Sequence, residues 1–268
     1  MQTDFIRVVK YYFSDSKFYP LLNSTIISQI PKVPNLSTMK EYRPISCCNT
    51  VYKVFSKILT KRIKKVLPKL ICNRQNAFLK GRVISDNILL MHAIVNGYHR
   101  NTGQVKCAMK IDLVKAYDTI RWDFLFTIME CMNFPKKFIC WIKKGLFSQN
   151  MKRALVGYFP SSRGLRRGDP ISPYLFLLVK KIFSLLFDET TKEPDFQFLP
   201  KCQSLGTSHL IFTDDLLLIS AVNLGSFNIM KYILEQFFDL LGLSPYLHNS
   251  EVFLSGVNEE QRLDYVRS

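Results

Sequence analysis

Three aspartates have the side chains and the setting for metal-dependent chemistry. Two of them, Asp214 and Asp215, are adjacent in the stretch SHLIFTDDLLLIS, residues 208–220, between two apolar runs that we expect to be buried. An ionised carboxylate carried into an apolar interior costs several kcal/mol unless a partner compensates its charge. The pattern therefore predicts a cation at this pair. The alternative is that both aspartates only polarise a turn, because Asp is common in hairpin loops.

The third aspartate, Asp112, ends a predicted strand about 100 residues earlier. In VKCAMKID, residues 105–112, apolar and polar side chains alternate with the two-residue period of a half-buried strand, which places Asp112 on the polar face. A strand end and a hairpin turn can bring all three carboxylates to one face of a sheet. Mg²⁺ is commonly bound by carboxylates, with water and phosphate oxygens completing its coordination. A pair of such ions supports phosphoryl or nucleotidyl transfer.

The elements that must position these aspartates are helices interleaved with strands, including a hairpin at residues 208–220. This order predicts an α+β architecture rather than a doubly wound parallel sheet. The prolines of residues 30–46 predict a loop with strand edges. One helix is predicted at residues 50–67, with a stop at Pro68, and a second begins after an N-cap at Ser85 or Asp86. A third is predicted at residues 122–132, with Asp118 as its N-cap. Two more are predicted at residues 171–189 and at residues 226–241, the last of them closed by Gly242.

Composition narrows the class of partner. The 268 residues include 37 Lys and Arg against 21 Asp and Glu, a formal net charge of +16, which favours a polyanion such as nucleic acid or an acidic membrane surface. The longest apolar run, YLFLLV, is far shorter than the roughly 20 residues that span a bilayer, and the N-terminus has no secretory pattern. We therefore expect an intracellular protein. Seven cysteines without a C-x-x-C pair predict neither a disulfide framework nor a zinc site.

The helix that begins at Thr50 has a strongly basic polar face. Two interpretations stay open, a solvated helix face and a surface that contacts phosphate backbones. The cations of this face are Lys53, Lys57, Lys61, Arg62, Lys64 and Lys65.

Five ordered motifs resemble the reverse transcriptase domain of LINE-type, non-LTR retrotransposons, especially the plant-type elements. They are YRPISCCN, QNAFLKGRVISDNILL, KIDLVKAYD, SSRGLRRGDPISPYLF and FTDDLLLIS, and they extend over nearly the whole chain. The resemblance implies a right-hand polymerase fold within one reverse transcriptase domain, with fingers in residues 1–100 and a palm in residues 101–268. Since the chain stops at Ser268, we expect a truncated copy whose thumb is largely missing.

The resemblance also implies an activity and its partners. The activity is RNA-directed DNA polymerisation onto a primer 3′-hydroxyl, with an RNA template, a DNA primer and deoxynucleoside triphosphates, in the nucleus or cytoplasm, without a membrane or an obligate protein partner. The three aspartates match the catalytic metal ligands, Asp214 being the safer ligand of the adjacent pair, and the cofactor is two Mg²⁺ ions, with Mn²⁺ as the alternative. Two other hypotheses stay open: an inactive relic that only binds nucleic acid, and another two-metal phosphotransferase such as a nuclease.

Five further residues match positions that contact substrate in the family. Tyr117 matches the aromatic that lies under the incoming sugar and excludes a 2′-hydroxyl, while Arg43 and Arg82 lie in motifs that contact triphosphate or template. Gly168 belongs to the loop 164–169, where glycines allow backbone to approach template and nucleotide. Arg167 replaces the usual glutamine, so its cation is expected to bind the wrong group. The structural alternatives are a packed tyrosine, surface arginines and turn glycines.

Overall fold

The structure is a computed structural model. It describes residues 2–16, 20–35, 38–96, 105–113, 116–147, 150–153, 157–213, 215–242 and 250–256. The helices are α1 (Gln2–Asp15), α2 (Thr50–Ile63), α3 (Leu67–Leu70), α4 (Ile84–Val95), α5 (Ala116–Thr119), α6 (Trp122–Cys131), α7 (Lys136–Phe147), α8 (Ser172–Thr190), α9 (Pro200–Gln203) and α10 (Leu224–Leu241). The strands are β1 (Ser24–Pro31), β2 (Tyr42–Cys48), β3 (Lys106–Asp112), β4 (Asn150–Arg153), β5 (Gly157–Pro160), β6 (His209–Phe212), β7 (Asp215–Ala221) and β8 (Glu251–Ser255).

The chain divides into two compact units that alternate along the sequence. Unit 1 is Met1–Val66 with Tyr117–Val179, and unit 2 is Leu67–Ala116 with Lys180–Ser268. The assignment of residues 1–100 to fingers and 101–268 to a palm stays a prediction.

Unit 1 combines a four-stranded sheet with an aromatic helical core. The strand order is β2-β1-β4-β5, in which β1 pairs antiparallel with β2 and parallel with β4. In the core, the ring of Tyr12 lies 4.5 Å from that of Phe55, and its hydroxyl donates to the Trp141 carbonyl over 2.7 Å. These contacts bind α1 to α2 and α7, so this part of unit 1 is held by aromatic burial.

Unit 2 is built on an antiparallel sheet of order β6-β7-β3-β8. The rings of Phe183 and Phe187 pack on the buried His209 of β6, at centroid distances of 5.7 and 4.9 Å. A separate apolar cluster includes Ile219 and Ala221 of β7 and covers the other face. Strand β7 is therefore covered along most of its length, whereas Asp215 at its start is exposed.

Most predicted elements are confirmed, including β3, the hairpin of β6 and β7, the strand edges of residues 30–46, and the helices α8 and α10. Gly242 caps α10 with φ 68°, a left-handed conformation that favours glycine. The predicted stop of α2 at Pro68 is wrong. The helix ends at Ile63, and Pro68 lies in the first turn of α3, where its missing N–H costs no helical hydrogen bond.

The predicted N-caps of two other helices are also wrong. Val83 caps α4, and the carboxylate of Asp86 accepts the Val83 backbone N–H over 3.3 Å from inside the first turn. Arg121 caps α6, whereas Asp118 lies within the short helix α5. In both cases the acidic residue is beside the helix start, but the backbone turns into the helix at a neighbouring position.

Within the described ranges, none of the helices combines the length and the apolar character that crossing a membrane requires.

Candidate functional site

Two of the predicted aspartates lie side by side at one end of the unit 2 sheet. Strands β3 and β7 are antiparallel, and their register places Asp112 directly opposite Asp215. Directly opposed residues share a face of the sheet, and their Cβ atoms are about 4.5–5.5 Å apart. Asp215 is exposed and Asp112 is half-buried. We call this pair the carboxylate edge. The third predicted ligand, Asp214, lies outside the described residues.

The register of the carboxylate edge is fixed by the neighbouring apolar pair. Ile111 and Leu216 are opposed one step further along the strands, on the other face, and both are buried. A slip of one residue would move these side chains out of the core and turn the aspartates into it. The alternation seen in the sequence therefore holds both carboxylates on the more open face.

The turn beside the carboxylate edge has strained backbone. Phe212 pairs with Asp215, so only residues 213 and 214 connect the strands, and Thr213 has φ 40°. A two-residue hairpin demands positive φ values, which glycine and asparagine adopt more easily than a β-branched residue. Thr213 thus retains a conformation that costs free energy at the position next to Asp214.

The carboxylate edge has the donor set of a hard cation. Its oxygens suit Mg²⁺, and the exposure of Asp215 leaves room for water or phosphate to complete the coordination. Among the residues that the structure describes, no three His, Cys, Asp or Glu side chains form a group that could hold a metal. A complete site would therefore need a further ligand, and Asp214 is adjacent in sequence.

The second candidate site is the loop of residues 164–169 in unit 1, here called the glycine loop. Its Leu165 N–H donates to the Tyr117 carbonyl over 2.6 Å, and the Trp122 indole N–H donates to the Gly164 carbonyl over 2.7 Å. Gly164 has φ 87°, and a Cβ there would lie 2.6 Å from the carbonyl oxygen of Asp118. This glycine lets the loop lie directly against the segment that carries Tyr117.

Gly168 holds the other side of the glycine loop against β2. The Ser46 N–H donates to the Arg167 carbonyl over 2.7 Å, and a Cβ on Gly168 would lie 3.1 Å from the Ser46 carbonyl oxygen. Gly168 has φ 102° and is exposed. Packing against protein backbone therefore already explains both glycines, while the predicted role of Gly168 toward substrate stays a prediction.

Arg167 has a protein partner for its charge. Its Nη2 atom lies 3.2 Å from Oδ2 of Asp118, and both side chains are partly exposed. The cation that we expect from the sequence to disturb a substrate is thus held by the residue that follows Tyr117. The sequence pattern predicts a helix cap at Asp118 and gives no signal for this contact, which joins positions 49 residues apart.

A buried charged network lies beneath the glycine loop. Asp169 is 2% exposed and accepts hydrogen bonds from the hydroxyls of Tyr52, over 2.7 Å, and of Ser56. Burial raises the pKa of Asp169, and the pKa-lowering effects of these hydroxyls and of Arg166 oppose that rise. Arg166 is 1% exposed, donates to the Asn23 carbonyl over 2.9 Å, and stacks on the Tyr52 ring at 4.5 Å. The network fixes the end of the loop.

The remaining predicted substrate residues have distinct environments. The ring of Tyr117 is half-buried, with its centroid 4.6 Å from that of Phe176 on α8. Arg43 is exposed on β2. The guanidinium of Arg82 donates to the carbonyl groups of Ile71, Cys72 and Gln75 and to the Asn73 side chain, over 2.5–3.2 Å. Arg82 therefore clamps the loop before α4, and its predicted contact with template or triphosphate stays a prediction.

Known proteins resemble the chain in both sequence and fold. A model of the family described as reverse transcriptase (RNA-dependent DNA polymerase) matches residues 30–244. The chain is 28% identical over 205 residues to the transposon TX1 uncharacterized 149 kDa protein of Xenopus laevis, covering 72% of the chain and 15% of that protein. It is 26% identical over 200 residues to the retrovirus-related Pol polyprotein from the type-1 retrotransposable element R2 of Nasonia vitripennis, covering 73% and 18%.

Among solved structures, the chain resembles an apo telomerase from Candida tropicalis truncated from its C-terminal domain. The TM-score is 0.59 at 13% identity, and the match covers 94% of the chain and 55% of the telomerase chain. The chain spans less than a fifth of the length of either transposon protein.

Proposed function

Because the chain belongs to the reverse transcriptase (RNA-dependent DNA polymerase) family, we propose that it is the part of an RNA-directed DNA polymerase that extends a primer 3′-hydroxyl. The observation that carries this proposal is the opposition of Asp112 and Asp215 across β3 and β7. Two carboxylates opposed at one accessible sheet end suit metal-assisted nucleotidyl transfer better than a structural turn, because such oxygens are the ligands that Mg²⁺ prefers and because like charges placed opposite each other destabilise a sheet.

The family and the fold agree with the sequence prediction. The relatives are proteins of transposon TX1 and of R2 elements, which supports the non-LTR retrotransposon assignment. The mixed architecture and the likeness to telomerase confirm the α+β, right-hand polymerase fold. The plant-type origin and the truncation of the copy stay predictions.

The carboxylate edge would hold the divalent ions that reverse transcriptases use as a family. We assign Asp112 and Asp215 to this role together with Asp214, and Mg²⁺ as the ion, with Mn²⁺ as the alternative. When bound, such ions activate the attacking hydroxyl and stabilise the leaving oxygen. The protein contributes a rigid sheet register that keeps the carboxylates together before substrate arrives.

For three residues of unit 1 we retain the substrate contacts that the family resemblance implies. The Tyr117 ring packs against Phe176, and in this fixed position it would contact the sugar and sterically exclude a 2′-hydroxyl. The glycine loop presents Gly168 at the surface, and Arg43 is an exposed cation on the adjacent strand β2. These positions suit contacts with a triphosphate and a template.

RNA and DNA are the proposed macromolecular partners, and the basic face of α2 is the proposed contact surface. Lys57 and Lys61 are exposed on this face. Arg62 instead packs over Phe13 and Trp141, at 4.8 and 4.9 Å from the ring centroids, so aromatic contacts already engage its charge. Double substitution of Lys57 and Lys61 by Gln should reduce the slope of log affinity against log salt by about 0.9 for each phosphate that these lysines neutralise.

We propose an intracellular location, nuclear or cytoplasmic, where such nucleic acids occur.

The proposed activity is tested by primer extension on an RNA template with an annealed DNA primer. The chain should add deoxynucleotides in the presence of Mg²⁺, and Asp112→Asn or Asp215→Asn should abolish the addition. The control Glu235→Gln, an exposed change on α10, should not. Nucleic acid binding without extension would favour the inactive relic, and degradation of the duplex without nucleotide addition would favour a nuclease.

A further inference from the structure

The Asp118–Arg167 ion pair joins the glycine loop to the segment that carries Tyr117. The guanidinium and carboxylate are 3.2 Å apart, and 27% of the Arg167 side chain and 37% of the Asp118 side chain are exposed. The ion pair is therefore partly exposed to solvent at the surface of unit 1, and its two charged groups stay in contact.

Two backbone hydrogen bonds near the ion pair join the same two segments, the glycine loop and the segment that carries Tyr117. The Leu165 N–H donates to the Tyr117 carbonyl over 2.6 Å, and the Gly164 N–H donates to the Ile120 carbonyl over 2.8 Å. Asp118 lies between these two acceptors in sequence, and Arg167 is two residues beyond Leu165. The side-chain pair thus closes the same junction that the two backbone hydrogen bonds hold.

The pair also determines the charge next to Tyr117. Arg167 carries a guanidinium cation, and its Nε atom has no hydrogen-bond partner among the described residues. If Asp118 were neutral, this cation would be free to bind another anion, and the loop would lose one of its fastenings. If Arg167 were neutral, Asp118 would lose this cationic partner.

We propose that Asp118 is a positioning residue that acts through Arg167. Its carboxylate neutralises the guanidinium and holds the glycine loop in register with the Tyr117 segment, which sets how well the site distinguishes deoxyribonucleotides from ribonucleotides. The consequence for nucleotide selection rests on the proposed polymerase function, whereas the coupling between loop and segment does not.

Amide hydrogen exchange tests the coupling without requiring activity. A partly exposed ion pair corresponds to roughly two- to fivefold in an equilibrium constant. We expect Asp118→Asn and Arg167→Gln each to reduce the protection of the Leu165 amide by about that factor. The double variant should lose no more than either single variant, because both changes remove one interaction. About 1 M salt should bring the unmodified chain close to the variants.

The matched control is Asp123→Asn, which breaks the exposed Arg121–Asp123 ion pair in the same unit. It should leave the Leu165 amide unchanged. Equal protection in the unmodified chain and in Asp118→Asn, or losses that multiply in the double variant, would overturn the proposed coupling.

Primer extension with competing nucleotides tests the consequence. Both single variants should incorporate ribonucleotides about two- to fivefold more often relative to deoxyribonucleotides, and the neutral double variant should be no worse than either. An unchanged ratio would remove the role in selection. If the unmodified chain extends no primer, the proposed polymerase function fails, and the exchange measurement still decides whether Asp118 holds the loop.

Discussion

Asp112 and Asp215 are opposed in the antiparallel pairing of β3 and β7, on the same face of the unit 2 sheet. Like charges placed directly opposite each other destabilise a pair of strands. The register is fixed by buried neighbours, so the carboxylates cannot separate by a slip of the strand. A divalent cation bound by both carboxylates would offset this repulsion.

This relationship predicts a stabilising effect of Mg²⁺ on the free protein. Adding Mg²⁺ should raise the thermal unfolding temperature, and chelation should reverse the rise, because an ion that binds only the folded state stabilises it by mass action. Asp215→Asn should remove most of this shift, since it halves the charge at the carboxylate edge.

Glu235→Gln on α10 is the control for general charge effects, and it should keep the full response to Mg²⁺. The measurement is a thermal denaturation series over Mg²⁺ concentration at constant ionic strength. A shift of equal size in the unmodified chain and in Asp215→Asn would place the ion somewhere other than the carboxylate edge.

The sequence could predict the carboxylate edge because its determinants are local. Alternation in residues 105–112 places Asp112 on the open face, and the apolar runs around Asp215 mark a buried hairpin. The contacts of Arg167 with Asp118, and of Asp169 with Tyr52, join residues 49 and 117 positions apart. No period or capping pattern reports such contacts, so the roles of these residues could emerge only from the folded chain.

Tyr117→Ala should change the sugar preference of any polymerisation. Removing the ring removes the proposed clash with a 2′-hydroxyl, so ribonucleotide incorporation should rise relative to deoxyribonucleotide incorporation. Tyr117→Phe is the matched control, because it keeps the ring that packs 4.6 Å from Phe176. Competition assays with mixed nucleotides measure the ratio. If alanine and phenylalanine give the same ratio as tyrosine, then the ring serves packing alone.

His209 should make the fold sensitive to acid. Burial lowers the pKa of His209 to about 3, with smaller contributions from Arg74 and Lys181, while an unfolded histidine titrates near 6.5. Between these values the unfolded chain binds a proton that the folded protein does not. The contribution of His209 to stability is therefore complete above pH 6.5 and is lost as the pH falls toward 3, by up to about 1.4 kcal/mol per pH unit.

His209→Gln should flatten this dependence, since glutamine does not titrate. Free energies of unfolding from urea titrations at several values between pH 4 and 7 would measure the slope. His92→Gln, at an exposed position on α4, is the control for replacing a histidine by glutamine. A slope that persists in His209→Gln would assign the acid sensitivity to other groups.

Two substitutions in the buried network of Asp169 should lower the free energy of unfolding by different amounts. Tyr52→Phe removes one hydrogen bond to a charged acceptor and should lower the free energy of unfolding by about 1.5–3 kcal/mol. Asp169→Asn should cost more, about 3–5 kcal/mol, because Arg166 stays buried without its compensating carboxylate. Tyr232→Phe, at an exposed position on α10, controls for the loss of a hydroxyl and should change the free energy of unfolding little.

Urea denaturation of the three variants measures the order of these losses. Were Asp169→Asn as stable as Tyr52→Phe, the charge of Arg166 would be balanced by something other than Asp169, and the network would not be what holds the end of the glycine loop.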